Sequence, residues 1–262
     1  MECRVGSSLA ISSDAFLATA QQPGYRSRHT ADCCSADLAF SGRLTWYCAG
    51  LSRKRLLCVS AVVAGQAAED LITALVEAEV EGDFLEESEI LGFCLLLLIA
   101  GNETTTHLIS NLLNLLADRP ELWSQLREDR SLVDTVIEES LRHESPIQRI
   151  PRRTTREVEV SGVTIPAGAS VTIYYGAANR DPAAFQNPDE FRLDRDLRNH
   201  VAFGTGIHYC LGAPLARAEA RITLNTFLDR FEALKRGAAP AVRQTAAVSF
   251  FGFHELPLVL ST

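Results

Sequence analysis

The run Phe203-Gly204-Thr205-Gly206-Ile207-His208-Tyr209-Cys210-Leu211-Gly212 sets one cysteine at the end of a glycine-rich loop, directly ahead of a helical sequence. A cysteine binds a metal as thiolate, so its pKa must be lowered for that ion to exist near neutrality. A helix starting just beyond the cysteine does this through its unpaired N–H groups and the positive end of its dipole. Pro214, tolerated in a first helical turn, supports such a start. Gly204, Gly206 and Gly212 remove Cβ atoms where backbone must pass close to a flat, rigid ligand. One cysteine cannot hold a structural zinc, which takes four ligands. It can serve as the single proximal ligand of a haem.

Upstream, residues 90–100 are apolar all round at helical pitch, which predicts a central, buried helix. They supply about half of the roughly 20 residues that a membrane span needs. The text then turns polar at Gly101-Asn-Glu-Thr-Thr-Thr106. A carboxylate and hydroxyls inside an apolar helix cost on the order of several kcal/mol unless satisfied. Thr106 is expected to bond a carbonyl one turn back, and Thr105 is left open between that and a chemical role. Helical spacing resumes at Leu108, Leu112, Leu115 and Leu116 and stops at Arg119-Pro120. Further short helices are predicted around Leu71–Val76, around Leu122–Leu126 and over 132–142, with Asp83 and Glu86 resembling a capping box. Glu139 and Arg142 at i, i+3 share a helix face and can pair, although this spacing alone is common. Strands are predicted at 158–160, 163–165 and 171–174, an ordered loop over 179–200, and a β-hairpin over 248–260. The fold class is mainly α with small β-sheets (α+β).

Phe203, Gly206, Cys210 and Gly212 match Phe-x-x-Gly-x-x-x-Cys-x-Gly. From about residue 67 onward the chain resembles the C-terminal half of a soluble bacterial cytochrome P-450. The resemblance implies the haem-thiolate fold, N-terminally truncated or altered, and haem b (iron protoporphyrin IX) as cofactor. Cys210 would be the iron ligand, in a loop lined by Phe203, Gly204, Gly206, His208 and Gly212. His208 would meet one haem propionate, and Arg152, in Arg149-Ile-Pro-Arg-Arg153, would clamp a propionate with its guanidinium. Ala100-Gly-Asn-Glu-Thr is similar to the distal-helix motif, which makes Thr104 the alcohol and Glu103 the acid that deliver protons to dioxygen. Glu139 and Arg142 would form the structural ion pair below the haem. Arg195 is the candidate third partner and Arg192 the runner-up. The implied activity is a monooxygenase acting on a small organic substrate, with electrons from a ferredoxin or flavodoxin and its reductase. Two other readings stand beside it: a non-catalytic truncated remnant with weak or no haem binding, and a haem-dependent isomerase or peroxygenase needing no electron donor.

Residues 1–65 differ from the rest. They hold five of the seven cysteines and carry seven basic and four acidic side chains, a balance of +3 that leaves −11 for the remainder. They divide the chain into 1–65, a divergent, weakly structured or non-family segment (or an ordinary variable N-terminus), and 66–262, the haem-binding half. Arg53-Lys-Arg and the apolar residues after it look like a signal sequence, but lie too deep in the chain for a cleavable one. An odd cysteine count without regular spacing points to a reduced, cytoplasmic protein. The net charge of −8 argues against nucleic acid or an anionic membrane as partner.

Overall fold

The computed structural model describes residues 8–10, 71–80, 82–245 and 249–262. The expected character of residues 1–65 lies outside them, apart from β1 (Ser8–Ala10). Next come helix α1 (Leu71–Glu77) and the antiparallel pair β2 (Glu79–Val80) and β3 (Asp83–Phe84). Asp83 therefore pairs in a strand rather than capping a helix. The long helix α2 (Glu87–Ala117) starts later, where the Glu86 N–H donates to the Glu89 carboxylate at 2.9 Å. This is the reciprocal half of a capping box.

Helix α2 continues unbroken through the polar run, and the Thr106 hydroxyl donates to the Asn102 carbonyl at 3.0 Å. Within α2, the residues before Gly101 belong to one compact unit and those from Gly101 onward to another. In the first unit the expected burial of residues 90–100 does not hold. Ile90 is buried, but Leu96 is 57% and Leu98 62% exposed, and Phe93, Leu95 and Ile99 are also exposed. The described neighbours in that unit are one seven-residue helix and two two-residue strands. By length and composition α2 could cross a bilayer, but from Leu108 to Leu116 its apolar side chains sit in the core of the larger unit.

That core adds Leu122, Trp123 and Leu126 of α3 (Pro120–Glu128) and Val133, Val136, Ile137 and Leu141 of α4 (Val133–His143). Pro120 takes the first turn of α3, where its missing N–H costs nothing. Two small ribbons follow. In the first, β4 (Arg149–Arg153) pairs with β7 (Ser170–Tyr174), Arg152 opposite Val171. In the second, β5 (Val158–Val160) and β6 (Val163–Ile165) join through Ser161-Gly162, both at positive φ, the two-residue turn that suits a twisted hairpin. After the short helix α5 (Tyr175–Ala178) and the loop, α6 (Ala213–Arg230) buries Ala213, Ala220, Leu224 and Leu228.

The predicted hairpin over 248–260 is absent. β10 (Phe253–Glu255) pairs with β9 (Val242–Arg243), whereas β11 (Pro257–Ser261) lies between β8 (Ala233–Arg236) and β1. The one residue between β10 and β11, Leu256, is fully buried. A single residue cannot turn a hairpin, and its burial sends the two strands into different sheets.

Candidate functional site

The cysteine loop is built from backbone bonds and left-handed glycines. Gly204 N–H donates to Val201 O at 2.9 Å, Tyr209 N–H to Gly206 O at 3.1 Å, and Cys210 N–H to Phe203 O at 2.9 Å. Gly204 has φ +73° and Gly206 φ +64°, conformations that side chains disfavour. A Cβ at Gly204 would also stand 3.2 Å from His208 O, whereas at Gly206 it would meet open space. The loop thus closes on itself and delivers Cys210 three residues before α6, whose N-cap is Gly212. Ala213 N–H donates to the Cys210 carbonyl at 3.3 Å. The thiol is free and exposed. Around it, Ile207 is 97% and Leu211 82% exposed, so apolar surface flanks the sulfur. His208 is exposed as well.

A charged network on the other side of the loop was not foreseen from the sequence. Arg217 of α6 stacks its guanidinium 4.6 Å from the Phe203 ring and donates to the Tyr209 hydroxyl at 3.2 Å. It grips Glu138 of α4 with both arms, at 2.5 and 2.9 Å. His200 Nε2 lies 2.8 Å from the same carboxylate, and His200 Nδ1 accepts Ala202 N–H at 3.3 Å. That assigns the imidazole proton to Nε2. Burial pushes the Glu138 carboxyl up, but the bonds from Arg217 and His200 outweigh it and hold the group at about 2. The network lines an open cleft of about 320 Å³ and ties both ends of the loop to two helices. Two acids in a row at 138 and 139 were the signal available in the sequence.

Glu139 and Arg142 are both fully buried, with two bonds of 2.7 Å between them. Arg142 also donates to the carbonyls of Asn179, Pro188 and Glu190 at 2.9, 2.8 and 3.1 Å. The third partner by side chain is Arg195, at 3.3 Å from Glu139 Oε1. Arg192 reaches the same oxygen only through its backbone N–H, at 2.9 Å, while its guanidinium turns to Asp194.

On α2, Glu103 and Thr104 are half-buried at the polar break. The Glu103 carboxyl is held below the usual carboxylate range, chiefly by His107 one turn along, against the opposing effect of burial. Arg152 stands on β4 beside an open cleft lined by Arg153, Gly168 and Ser170, and donates to Pro151 O at 3.0 Å.

Chemically, the exposed thiol is a single soft donor. Among the described residues no three His, Cys, Asp or Glu side chains gather to hold an ion. The exposed thiol and the uncovered Ile207 and Leu211 would suit a flat group that takes one thiolate ligand from the protein.

Comparison with known proteins gives the following. The sequence pattern of the family described as Cytochrome P450 matches residues 59–251. Cytochrome P450 109 of Bacillus spizizenii is 44% identical over 191 residues, covering 72% of this chain and 47% of the relative. The biotin biosynthesis cytochrome P450 of Bacillus subtilis is 46% identical over 190 residues, covering 72% and 48%. The solved structure of cytochrome P450 CYP109Q5 from Chondromyces apiculatus superimposes with TM-score 0.76 at 41% identity, over 82% of this chain and 57% of that one. The chain spans about half the length of the curated relatives it matches.

Proposed function

Given that the chain belongs to the cytochrome P450 family, we propose that it binds haem b through Cys210 and acts as a monooxygenase on a small organic substrate. The observation that carries this is the exposed Cys210 thiol at the start of α6, in a loop folded by two left-handed glycines. Phe203, Gly204, Gly206 and Gly212 shape the cradle, and His208 and Arg152 supply cationic or hydrogen-bonding groups for the propionates. When bound, the haem supplies reductive activation of dioxygen and transfer of one oxygen atom to the substrate.

The residues of this chain have three tasks. Cys210 would ligate the iron from its place three residues before α6, while the Arg217 network fixes the loop that carries it. Glu103, kept ionised, accepts a proton on its carboxylate and passes it toward the Thr104 hydroxyl. Glu139, Arg142 and Arg195 hold the connecting loop in place without touching the chemistry. Electrons would come from a ferredoxin or flavodoxin with its reductase, in the cytoplasm.

The test is the absorption spectrum of the reduced, carbon-monoxide-bound protein loaded with haem. A red-shifted thiolate Soret band is expected in the wild type and is lost in Cys210→Ser. Retention of the band in Cys210→Ala rejects the assignment. In turnover, Thr104→Ala continues to consume electrons while product falls about 10²-fold or more and peroxide rises. Unchanged coupling removes Thr104 from proton delivery.

The exposure of Phe93, Leu96 and Leu98 favours a second reading, a chain that holds haem weakly and does not turn over. Wild-type protein that shows no thiolate band at saturating haem decides for it.

A further inference from the structure

We propose that His107 is the positioning residue of Glu103, its buried imidazole locking the carboxylate one turn back along α2. His107 is 4% exposed, and neither ring nitrogen has a hydrogen-bond partner within normal geometry. A buried polar group left unpaired is unusual in a folded protein. The nearest complementary group is Glu103, whose Oε1 lies 3.5 Å from His107 Nε2 at i, i+4. That distance is an ion-pair contact and long for a hydrogen bond, so the ring's polar reach is directed at that one carboxylate.

The ring cannot swing away. A Cβ built on Gly252 would fall 2.1 Å from His107 Nδ1 and 2.3 Å from its Cγ, so the Gly252 backbone lies directly on the imidazole. Phe250 flanks it with ring centroids 6.1 Å apart. This cover is pinned from two sides. Asn111, one turn beyond His107, donates to Phe251 O at 2.8 Å, and Phe251 N–H donates to Pro146 O at 2.8 Å. The glycine at 252 is thus required by the histidine at 107.

The surrounding groups leave Glu103 as the acid that matters to this ring. On the covering segment, Phe250 and Gly252 are uncharged. On the segment after β9, Gln244 is neutral and also bonds Glu103. The charged pair on adjoining elements, Arg243 and Glu144, is engaged with itself at 3.3 Å, and Arg243 also bonds Asn111. The imidazole of His107 beside it is the largest cause holding the Glu103 carboxyl below the usual range. His107 therefore keeps Glu103 ionised and aimed along the helix, ready to take a proton rather than already carrying one.

The destination of that proton rests on the monooxygenase reading, whereas the pairing is a property of the full chain alone. The experiment follows the carboxyl carbon of Glu103 by NMR, with glutamate labelled in the side chain and assigned with Glu103→Gln, as pH is lowered in the haem-loaded, reduced, carbon-monoxide-bound protein. In the wild type Glu103 titrates below the ordinary carboxylate range. In His107→Phe, which fills the same space without a ring nitrogen, the midpoint moves up toward that range. His107→Leu serves the same comparison if the phenylalanine variant does not fold. Gln244→Met moves the midpoint less than either. An unchanged midpoint in the His107 variants overturns the proposal. A midpoint that moves in protein lacking the thiolate Soret band supports the pairing and counts only against the proposed activity.

Discussion

Arg142→Leu destabilises the folded chain by about 3–5 kcal/mol, read as a lower midpoint in urea unfolding. Glu139 and Arg142 are both fully removed from solvent. Arg142 makes two bonds to the carboxylate and three to the carbonyls of Asn179, Pro188 and Glu190. Taking away the guanidinium leaves a buried carboxylate with Arg195 as its remaining charged partner, and three carbonyls without their donor. Both costs are of the kind that dominates large mutational effects. The loss is a large share of the roughly 5–15 kcal/mol that holds a typical domain together. The double variant Glu139→Leu/Arg142→Leu loses less than the single one, because the buried carboxylate is gone, although the three carbonyls, the Arg192 N–H and the Arg195 guanidinium each lose a partner. A double variant as unstable as Arg142→Leu would show that the carbonyl bonds, not the ion pair, carry the effect.

The second large effect is on acid stability. Folding takes the Glu138 carboxyl from an ordinary 4.5 to about 2, through the bonds from Arg217 and His200 that overcome the penalty of burial. A carboxyl depressed on folding stabilises the native state fully above its unfolded value and loses that contribution as pH falls through its folded value. The window runs from about pH 4.5 down to about pH 2. Across it the wild type loses about 2 kcal/mol from this group, allowing for solvent screening of a partly exposed site. Other carboxyls are also lowered by their partners, among them Asp118 beside Arg236, Asp129 by Ser131, Asp194 beside Arg192 and Asp196 beside Arg198. The quantity to measure is therefore the difference in unfolding free energy between wild type and Glu138→Gln at each pH. That difference is largest above pH 5 and closes as pH approaches 2. A difference that stays constant with pH would mean that Glu138 contributes by packing and not by charge. The consequence for the cysteine loop is readable in the same variant: with Arg217 released from Glu138, Phe203 and Tyr209 lose a common anchor.

The sequence by itself determined the features whose cause is local. The Phe203–Gly212 loop depends on glycines at positive φ and a helix start nine and ten residues from Phe203, all within one short run. The Glu139–Arg142 contact follows from i, i+3 spacing on a single helix. The mainly α character with small sheets follows from 3.6-residue periodicity and from turn residues such as Ser161-Gly162. Tertiary structure decided the rest. An apolar face at residues 90–100 states a need for cover, but whether cover arrives depends on other segments, and among the described residues Leu96 and Leu98 stay exposed. Strand text over 253–261 fixes alternation, not partners, and the buried Leu256 sent β10 and β11 to different sheets. Glu138, His200 and Arg217 stand 62 and 79 residues apart along the chain, and the partnership of His107 with Gly252 spans a still longer stretch. Such groups carry no shared period or motif; they become neighbours only when packed helices and loops close the distance, and burial then gives their charges the strength that water would have screened.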